Sequence, residues 1–399
     1  MDEVLIVGAG PVGMVNALGL ARAGVKVTVL EAEPQIVNSP RAMVYHWSVL
    51  EEVDRLGILQ DCLALGFAKQ DYAYLIFESR EQIRFSLDVL EGHTAYPFNM
   101  HLGQHKLAEV ALAHLQALGD RAQVHWNAEV IDLVQDADGV TVTAETPDGR
   151  RDFRANWVVG ADGGRSAVRQ LAGQEFPGRT WPERFVATNL RYDFEKHGYA
   201  RATLQVDPVH GAIIAKIDNS NLWRCTYAED AALPEEGVRD RLPEHYAALL
   251  PGHEPWELEM CAPYRMHERA AESFRIGRVL LAGDAAHVCN PTGGLGLTSG
   301  LFDSFLLYPV LAAVARGAAR EEVLDYYAAE RRRTFLEIAS PQASENKRLI
   351  YSETDPDRRR HDVEKLRRLA EDPEVARERA LFTKRLQTPL PDGVAVPGA

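Results

Sequence analysis

Six residues near the start of the chain, Gly8-Ala9-Gly10-Pro11-Val12-Gly13, have the types and spacing of a turn that meets a phosphate. Glycines permit a tight turn and close backbone approach, and the amides at the start of a following helix attract negative charge. A Gly-x-Gly-x-x-Gly pattern is weak alone. Here it follows the apolar run Val4-Leu5-Ile6-Val7 and precedes an apolar stretch ending at Gly24; a second run, Val27-Thr28-Val29-Leu30, then ends at Glu31 and Ala32. Strand, turn, helix, strand and acidic residue in that order make a dinucleotide-binding unit, with Glu31 as acceptor for ribose hydroxyls. Pro11 suits the first helical turn, where no amide donor is lost. The competing reading, a glycine turn with no ligand, leaves Glu31 and the following helix as coincidences.

Other chemistries lack their residue patterns. Cys62, Cys225, Cys261 and Cys289 have no Cys-x-x-Cys or ligand spacing, and the 13 histidines include no His-Glu-x-x-His, so no metal site is expected. A formal charge of −14 argues against nucleic acid as a partner. The composition, 46% hydrophobic, is that of a globular protein, and no unbroken apolar run approaches the length of a membrane helix. Met1-Asp2-Glu3 leads directly into a strand without a basic signal region, which predicts a cytoplasmic protein with reduced thiols and no membrane span.

The elements that must position the turn can be read along the chain. Asn38-Ser39-Pro40-Arg41 reads as a loop, Trp47 to Leu56 as an amphipathic helix closed by Gly57, and residues 72 to 87 as strands. Gln104 to Leu118 has helical spacing with Gly119 as its stop. Turn signals at Asp138-Gly139 and Asp148-Gly149 predict a meander of three short strands, running into a strand over Trp157-Val158-Val159-Gly160. Residues 181 to 270 read as a mainly antiparallel block. Beyond Gly296 the pattern is helical, with interruptions expected at Pro309 and Pro341, and residues 357 to 385 read as a charged, solvated helical face.

Three segments in this order resemble the single-component FAD-dependent aromatic hydroxylases, the group typified by p-hydroxybenzoate hydroxylase. They are the glycine turn with Glu31; Gly160-Ala161-Asp162-Gly163-Gly164-Arg165-Ser166-Ala167-Val168-Arg169; and Gly283-Asp284-Ala285-Ala286-His287, followed by Pro291 and Gly293-Gly294-Leu295-Gly296-Leu297. The resemblance covers about residues 1 to 345. It implies an α/β fold: a Rossmann-like FAD-binding domain over 1–71, 98–180 and 272–345, an interleaved antiparallel substrate domain over 72–97 and 181–271, and a C-terminal helical tail over 346–399. It implies non-covalent FAD held by Gly8, Gly10, Pro11, Val12, Gly13, Glu31, Ala32, Arg41, Gln104, Val130, Asp162, Asp284, Pro291, Gly294, Gly296, Leu297 and Thr298. Asp162 stands in a motif that in the family touches both FAD and the reduced nicotinamide.

Tyr264-Arg265-Met266-His267-Glu268-Arg269 resembles a segment of the phenol and resorcinol hydroxylase branch. That branch carries a thioredoxin-like C-terminal domain, for which the residues after 345 are too few. Leu297-Thr298 also departs from the asparagine found there in many members. The resemblance implies a monooxygenase that hydroxylates a small phenolic or N-heteroaromatic compound with NADH or NADPH and dioxygen, through a flavin C4a-hydroperoxide, as a monomer or homodimer. Tyr264 is the first candidate to hold or help deprotonate the substrate hydroxyl, and a core tyrosine is the alternative. His46 is the second candidate, with a structural histidine as alternative, and Arg224 and Tyr227 share a strand that could face the pocket. Quinone-forming or decarboxylative hydroxylation, and a non-catalytic flavin sensor, are the rival functions.

Overall fold

Val4, Leu5 and Ile6 are fully buried, which makes Asp2–Val7 a central strand. In the computed structural model, which describes residues 2–38, 42–217 and 221–396, this strand pairs in parallel with Val27–Leu30 and Gly149–Gly160. Ala122–His125 and Val279–Leu281 extend the parallel set on either side. Gly8, Glu31, Ala161 and Ala282 therefore leave the sheet at one edge, beyond the carboxyl ends of the strands, where open α/β sheets bind ligands.

The expected meander is present with one difference. Asp136 Oδ1 accepts the amides of Asp138 and Gly139 at 2.8 and 3.0 Å, and Gly149 takes φ +100°, so both turns form. The third meander strand and the returning strand, however, are one element of 12 residues. Its first half pairs antiparallel with Val140–Thr146 and its second half joins the parallel sheet, because nothing between Arg150 and Gly160 breaks it.

The second sheet runs in the order 287–288, 257–270, 178–191, 222–230, 212–216, 202–206, 71–76, 81–86. Among the described residues of this sheet, only Ala202–Val206 and Asp71–Ile76 pair in parallel. One face carries Val186, Leu190, Trp223, Cys225 and Tyr227 against helix Val238–Leu249. On the other face Phe185 stands opposite Tyr264, and Asn189 opposite Arg224.

Helix Leu295–Ala315 crosses the centre of the molecule. It is 21 residues long and apolar enough to span a bilayer, but 89% of its most apolar window is buried in the protein, as in a core helix. It packs so closely on helix Pro11–Arg22 that a Cβ on Gly19 would lie 2.4 Å from the Tyr308 ring. Pro309 does not interrupt it: the helix continues six residues further, since burial on all sides outweighs one lost hydrogen bond. Pro341 stands in the first turn of helix Ser340–Lys347, entered through a π-helical turn over Phe335–Ala339.

The charged tail is two helices, Pro356–Glu371 and Pro373–Leu381. Asp355 and Asp372 cap them, each followed by proline at the first helical position. One face is solvated as expected, but Leu366 and Leu369 are buried with Tyr74, Ile76 and Ile83 of the second sheet. Arg367 reaches Glu81 at 2.8 Å.

Candidate active site

The glycine turn is built by contact. Gly8 has φ +105°, and a Cβ there would lie 2.4 Å from the Ala161 carbonyl oxygen. Glu31 Oε2 accepts the Ala9 amide at 2.6 Å and Oε1 accepts the Glu33 amide at 3.0 Å. Glu31 thus fastens the turn, and its remaining lone pairs suit ribose hydroxyls. The Ala128 amide donates to the Glu31 carbonyl at 2.8 Å, which brings the strand holding Val130 beside the Glu31-Ala32 corner.

Two helix starts sit at this edge. Helix Pro11–Arg22 begins after Gly10 and helix Leu295–Ala315 after Gly294, neither with a side-chain cap nor an acidic residue in its first turn. A Cβ on Gly283 or on Gly300 would lie 2.9 Å from Val12 Cγ2, so the first helix, the Gly-Asp turn and the long helix interlock there. Uncapped amides with the positive ends of two dipoles fit a diphosphate and the electron-rich edge of a flavin. Gly293 and Gly294 take φ +93° and +69° to reach the second helix after Pro291, and Leu297 lies in its first turn. A Cβ on Gly296 would meet only Cys289 Sγ, at 3.8 Å. Thr298 Oγ1 donates to the Gly294 carbonyl at 2.9 Å, which engages its hydroxyl within the helix.

His46 belongs to this loop. Its Nε2 lies 2.8 Å from the Gly293 carbonyl oxygen, and burial lowers its pKa, so the neutral ring donates that bond. The Gln104 amide donates to the Ala42 carbonyl at 3.2 Å. Arg41 lies outside the described residues.

The two acidic motifs are joined. Asp162 accepts from Ser166 Oγ at 2.5 Å and from the Val168 amide at 3.1 Å, closing its own loop onto helix Ala167–Leu171; burial raises its pKa. Arg169 from that helix donates to the Ala285 carbonyl at 2.9 Å and the Gly164 carbonyl at 3.0 Å. Asp284 is exposed on the turn Gly283–Ala285, at the mouth of the cradle.

Beneath that turn lies a network the sequence reading missed. Asp303, fully buried, accepts the Gly283 amide at 2.9 Å, His287 Nε2 at 2.7 Å and Arg331 Nε at 2.8 Å. Burial pushes its carboxyl up, but His287 and Arg331 outweigh burial and hold it below the ordinary range. Arg331 also donates to the Leu386 carbonyl at 2.6 Å and Thr388 Oγ1 at 2.9 Å, so the C-terminal segment is tied through two buried groups to the Gly-Asp turn.

On the inner face of the second sheet, Arg224 Nε donates to Asn189 Oδ1 at 3.1 Å. Burial lowers the Arg224 pKa to about 10, opposed by the nearby Tyr264 hydroxyl. The Tyr264 ring meets Phe185 edge-on, centroids 6.2 Å apart. His105, not singled out in the sequence, stands near the guanidinium; burial first, and Arg224 among the neighbouring charges, lower its pKa. Tyr227 is on the opposite face, its ring stacked on His245 at 3.7 Å beneath helix Val238–Leu249. The structure thus brings Arg224 to Tyr264 and separates Tyr227 from both.

A parallel sheet with a cradle for FAD, set beside a mainly antiparallel sheet whose largely apolar inner face carries Arg224 and Asn189, defines a flavin-dependent oxidoreductase. Residues 1–339 match the family model described as FAD binding domain, and the chain belongs to that family. It is similar to 6-hydroxy-3-succinoylpyridine 3-monooxygenase HspB of Pseudomonas putida, 44% identical over 388 residues that cover 97% of this chain and 98% of that protein. It is 42% identical to para-nitrophenol 4-monooxygenase of a Pseudomonas species over 97% of this chain and 96% of that one. The crystal structure of p-nitrophenol 4-monooxygenase PnpA from Pseudomonas putida superimposes with a TM-score of 0.93 at 42% identity, covering 97% and 98% of the two chains. The chain is an FAD-dependent monooxygenase of the aromatic hydroxylase type, with NAD(P)H as reductant. These relatives match end to end, so the two tail helices lie within the aligned length.

Proposed function

We propose that this enzyme hydroxylates a small phenol or hydroxypyridine bound as its anion against Arg224 and Tyr264. The observation that carries the reading is the Arg224–Asn189–Tyr264 group on a sheet face otherwise lined by Phe185, Ile213 and Met266. A buried guanidinium beside a tyrosine hydroxyl favours a phenolate over a phenol. Tyr264 supplies a hydroxyl to orient the ring, and His46 holds the Gly293 carbonyl and with it the loop at the cofactor. Bound FAD, reduced by NAD(P)H, supplies the oxygen derived from dioxygen that the activated ring accepts. The protein's own residues bind, orient and exclude water from that oxygen. The two relatives named above act, by name, on a nitrophenol and a hydroxypyridine, in keeping with an aromatic anion.

FAD is held without a covalent bond, a reading in keeping with the Cys289 thiol beside the cradle, whose pKa burial raises. The FAD-binding domain takes 1–71, 98–180 and 272–345, and the substrate domain 72–97 and 181–271. The enzyme works in the cytoplasm as a monomer or homodimer. The test is a panel of phenols, hydroxybenzoates and hydroxypyridines assayed for NAD(P)H consumption and hydroxylated product. Stimulated consumption with stoichiometric product by at least one phenolic or hydroxypyridine member is expected. A flavin-loaded protein whose NAD(P)H oxidation no member stimulates would count against the proposal.

A further inference from the structure

A second feature on the same sheet face is not accounted for by hydroxylation at Arg224. Between strands Asp71–Ile76 and Glu81–Ser86 and the two tail helices lies a cleft of about 820 Å³. Its wall is aromatic: Tyr72 and Phe85 stack at 5.5 Å with 22° between their planes, and Phe98 adjoins them. Leu369 and Ala376 of the tail roof it. The cleft also lies three strands from Arg224 in the sheet order, roughly 14 Å at about 4.8 Å per strand.

Lys69 lines this cleft. It is only 4% exposed, its ammonium rests over the Tyr72 ring at 5.1 Å, and Nζ has no hydrogen-bond partner among the described residues. Burying an ammonium without a hydrogen-bonded counter-ion is costly, and a protein that retains one has a use for it. The nearby carboxylates do not supply the partner. Glu195 is already bound by Arg201 at 3.0 Å and by Lys216, while Asp71 and Asp88 are exposed at the rim. Burial lowers the Lys69 pKa to about 8, with the pull of Asp71 opposing it and Arg201 adding to it. The ammonium is therefore charged at neutral pH and lost in mildly alkaline solution.

We propose that this cleft is a second binding station, for a small aromatic monoanion whose ring stacks on the Tyr72–Phe85 wall and whose charge is met by Lys69. It rests on the function proposed above in one respect, that the anion held there is of the class oxidised at Arg224. The station collects the anion outside the flavin site, and the tail helices are its roof. A role therefore falls to a segment whose charge pattern alone suggested only solvation.

The experiment uses the oxidised FAD-loaded enzyme without reductant, and 4-nitrobenzoate as probe, since its carboxylate stays ionised from about pH 6 to about pH 10. Equilibrium dialysis should find binding that Lys69→Met weakens roughly tenfold or more and Lys69→Arg restores in part. Flavin absorbance confirms that each variant is folded. In the wild-type protein, independently of any variant, affinity should fall as pH rises above about 8, because Lys69 loses its charge while the probe keeps its own. Binding that is absent, or unaltered both by Lys69→Met and by pH, overturns the station. Lys69-dependent binding by a protein that hydroxylates no phenol or hydroxypyridine leaves the station standing and removes the substrate reading. Turnover without Lys69-dependent binding does the reverse.

Discussion

The cofactor cradle and the inner face of the second sheet are built by opposite means. The cradle is assembled from a few short segments, each contiguous in sequence, and is made largely of backbone: Gly8 pressed on Ala161, two uncapped helix starts, and Glu31 fastening the Ala9 amide. The proposed substrate face is made of side chains from every second residue of separate strands, with Arg224, Asn189 and Tyr264 brought together only by register. A cofactor common to many enzymes is held by backbone that tolerates little change, whereas a particular ring is held by side chains that can be exchanged without disturbing the strands. Damage to the cradle should therefore abolish flavin binding, and damage to the sheet face should spare flavin and alter the use of oxygen.

The largest effect is expected from Gly8→Val. A side chain there meets the Ala161 carbonyl and requires a backbone conformation at φ +105° that valine avoids. No soluble flavin-bearing protein should be recovered, and a yellow variant melting as wild type would break the comparison.

Arg331→Met comes next. It leaves the fully buried Asp303 without one of its two compensating side chains and frees the Leu386 carbonyl and Thr388. Removal of one partner of a buried pair costs about 3–5 kcal/mol. Urea unfolding should show that loss together with release of FAD, because Asp303 also holds the Gly283 amide.

The third concerns pH. His101, fully buried on the small sheet formed by residues 44–45, 67–69 and 99–101, has its pKa lowered to about 3, chiefly by burial. The unfolded chain takes up this proton near pH 6.5, while the folded chain refuses it until about 3. Stability is thus complete above about 6.5 and falls by about 1.4 kcal/mol per pH unit below it. Melting temperature measured between pH 7.5 and 5.5 should decline, and less steeply in His101→Gln.

The smallest effect on the cradle is that of Glu31→Ala, which removes the acceptor of the Ala9 amide. A hydrogen bond to a charged group is worth about 1.5–3 kcal/mol, so FAD should dissociate roughly ten- to a hundredfold more readily. The flavin-saturated variant should convert NAD(P)H to product as efficiently as wild type.

The same contrast explains what could be read in advance. The glycine turn, Glu31 and most helix limits were legible because local spacing carries them, whereas the Asp-Gly and Gly-Asp segments stood out only by resemblance to the family. Arg224 and Tyr227, three positions apart on one strand, must point to opposite faces, but alternation cannot say which face is inner; Trp223, Cys225 and Tyr227 reveal it through helix Val238–Leu249. Pro309 misled because propensity is local while the burial of helix Leu295–Ala315 is not. Asp303 had a signal, an aspartate within Leu301-Phe302-Asp303-Ser304-Phe305, an apolar run that tolerates a carboxylate only with buried partners. Arg331 had none, since Arg331-Arg332-Arg333 reads as a charged surface and only the fold turns the first of the three inward.

The most direct test of this division is Tyr264→Phe, which removes one hydroxyl from the sheet face and leaves the cradle untouched. FAD content and the rate of flavin reduction should match wild type, while the ratio of hydroxylated product to NAD(P)H consumed at saturating substrate falls and hydrogen peroxide rises in proportion. A ratio equal to that of wild type would contradict a role for Tyr264 in placing the ring.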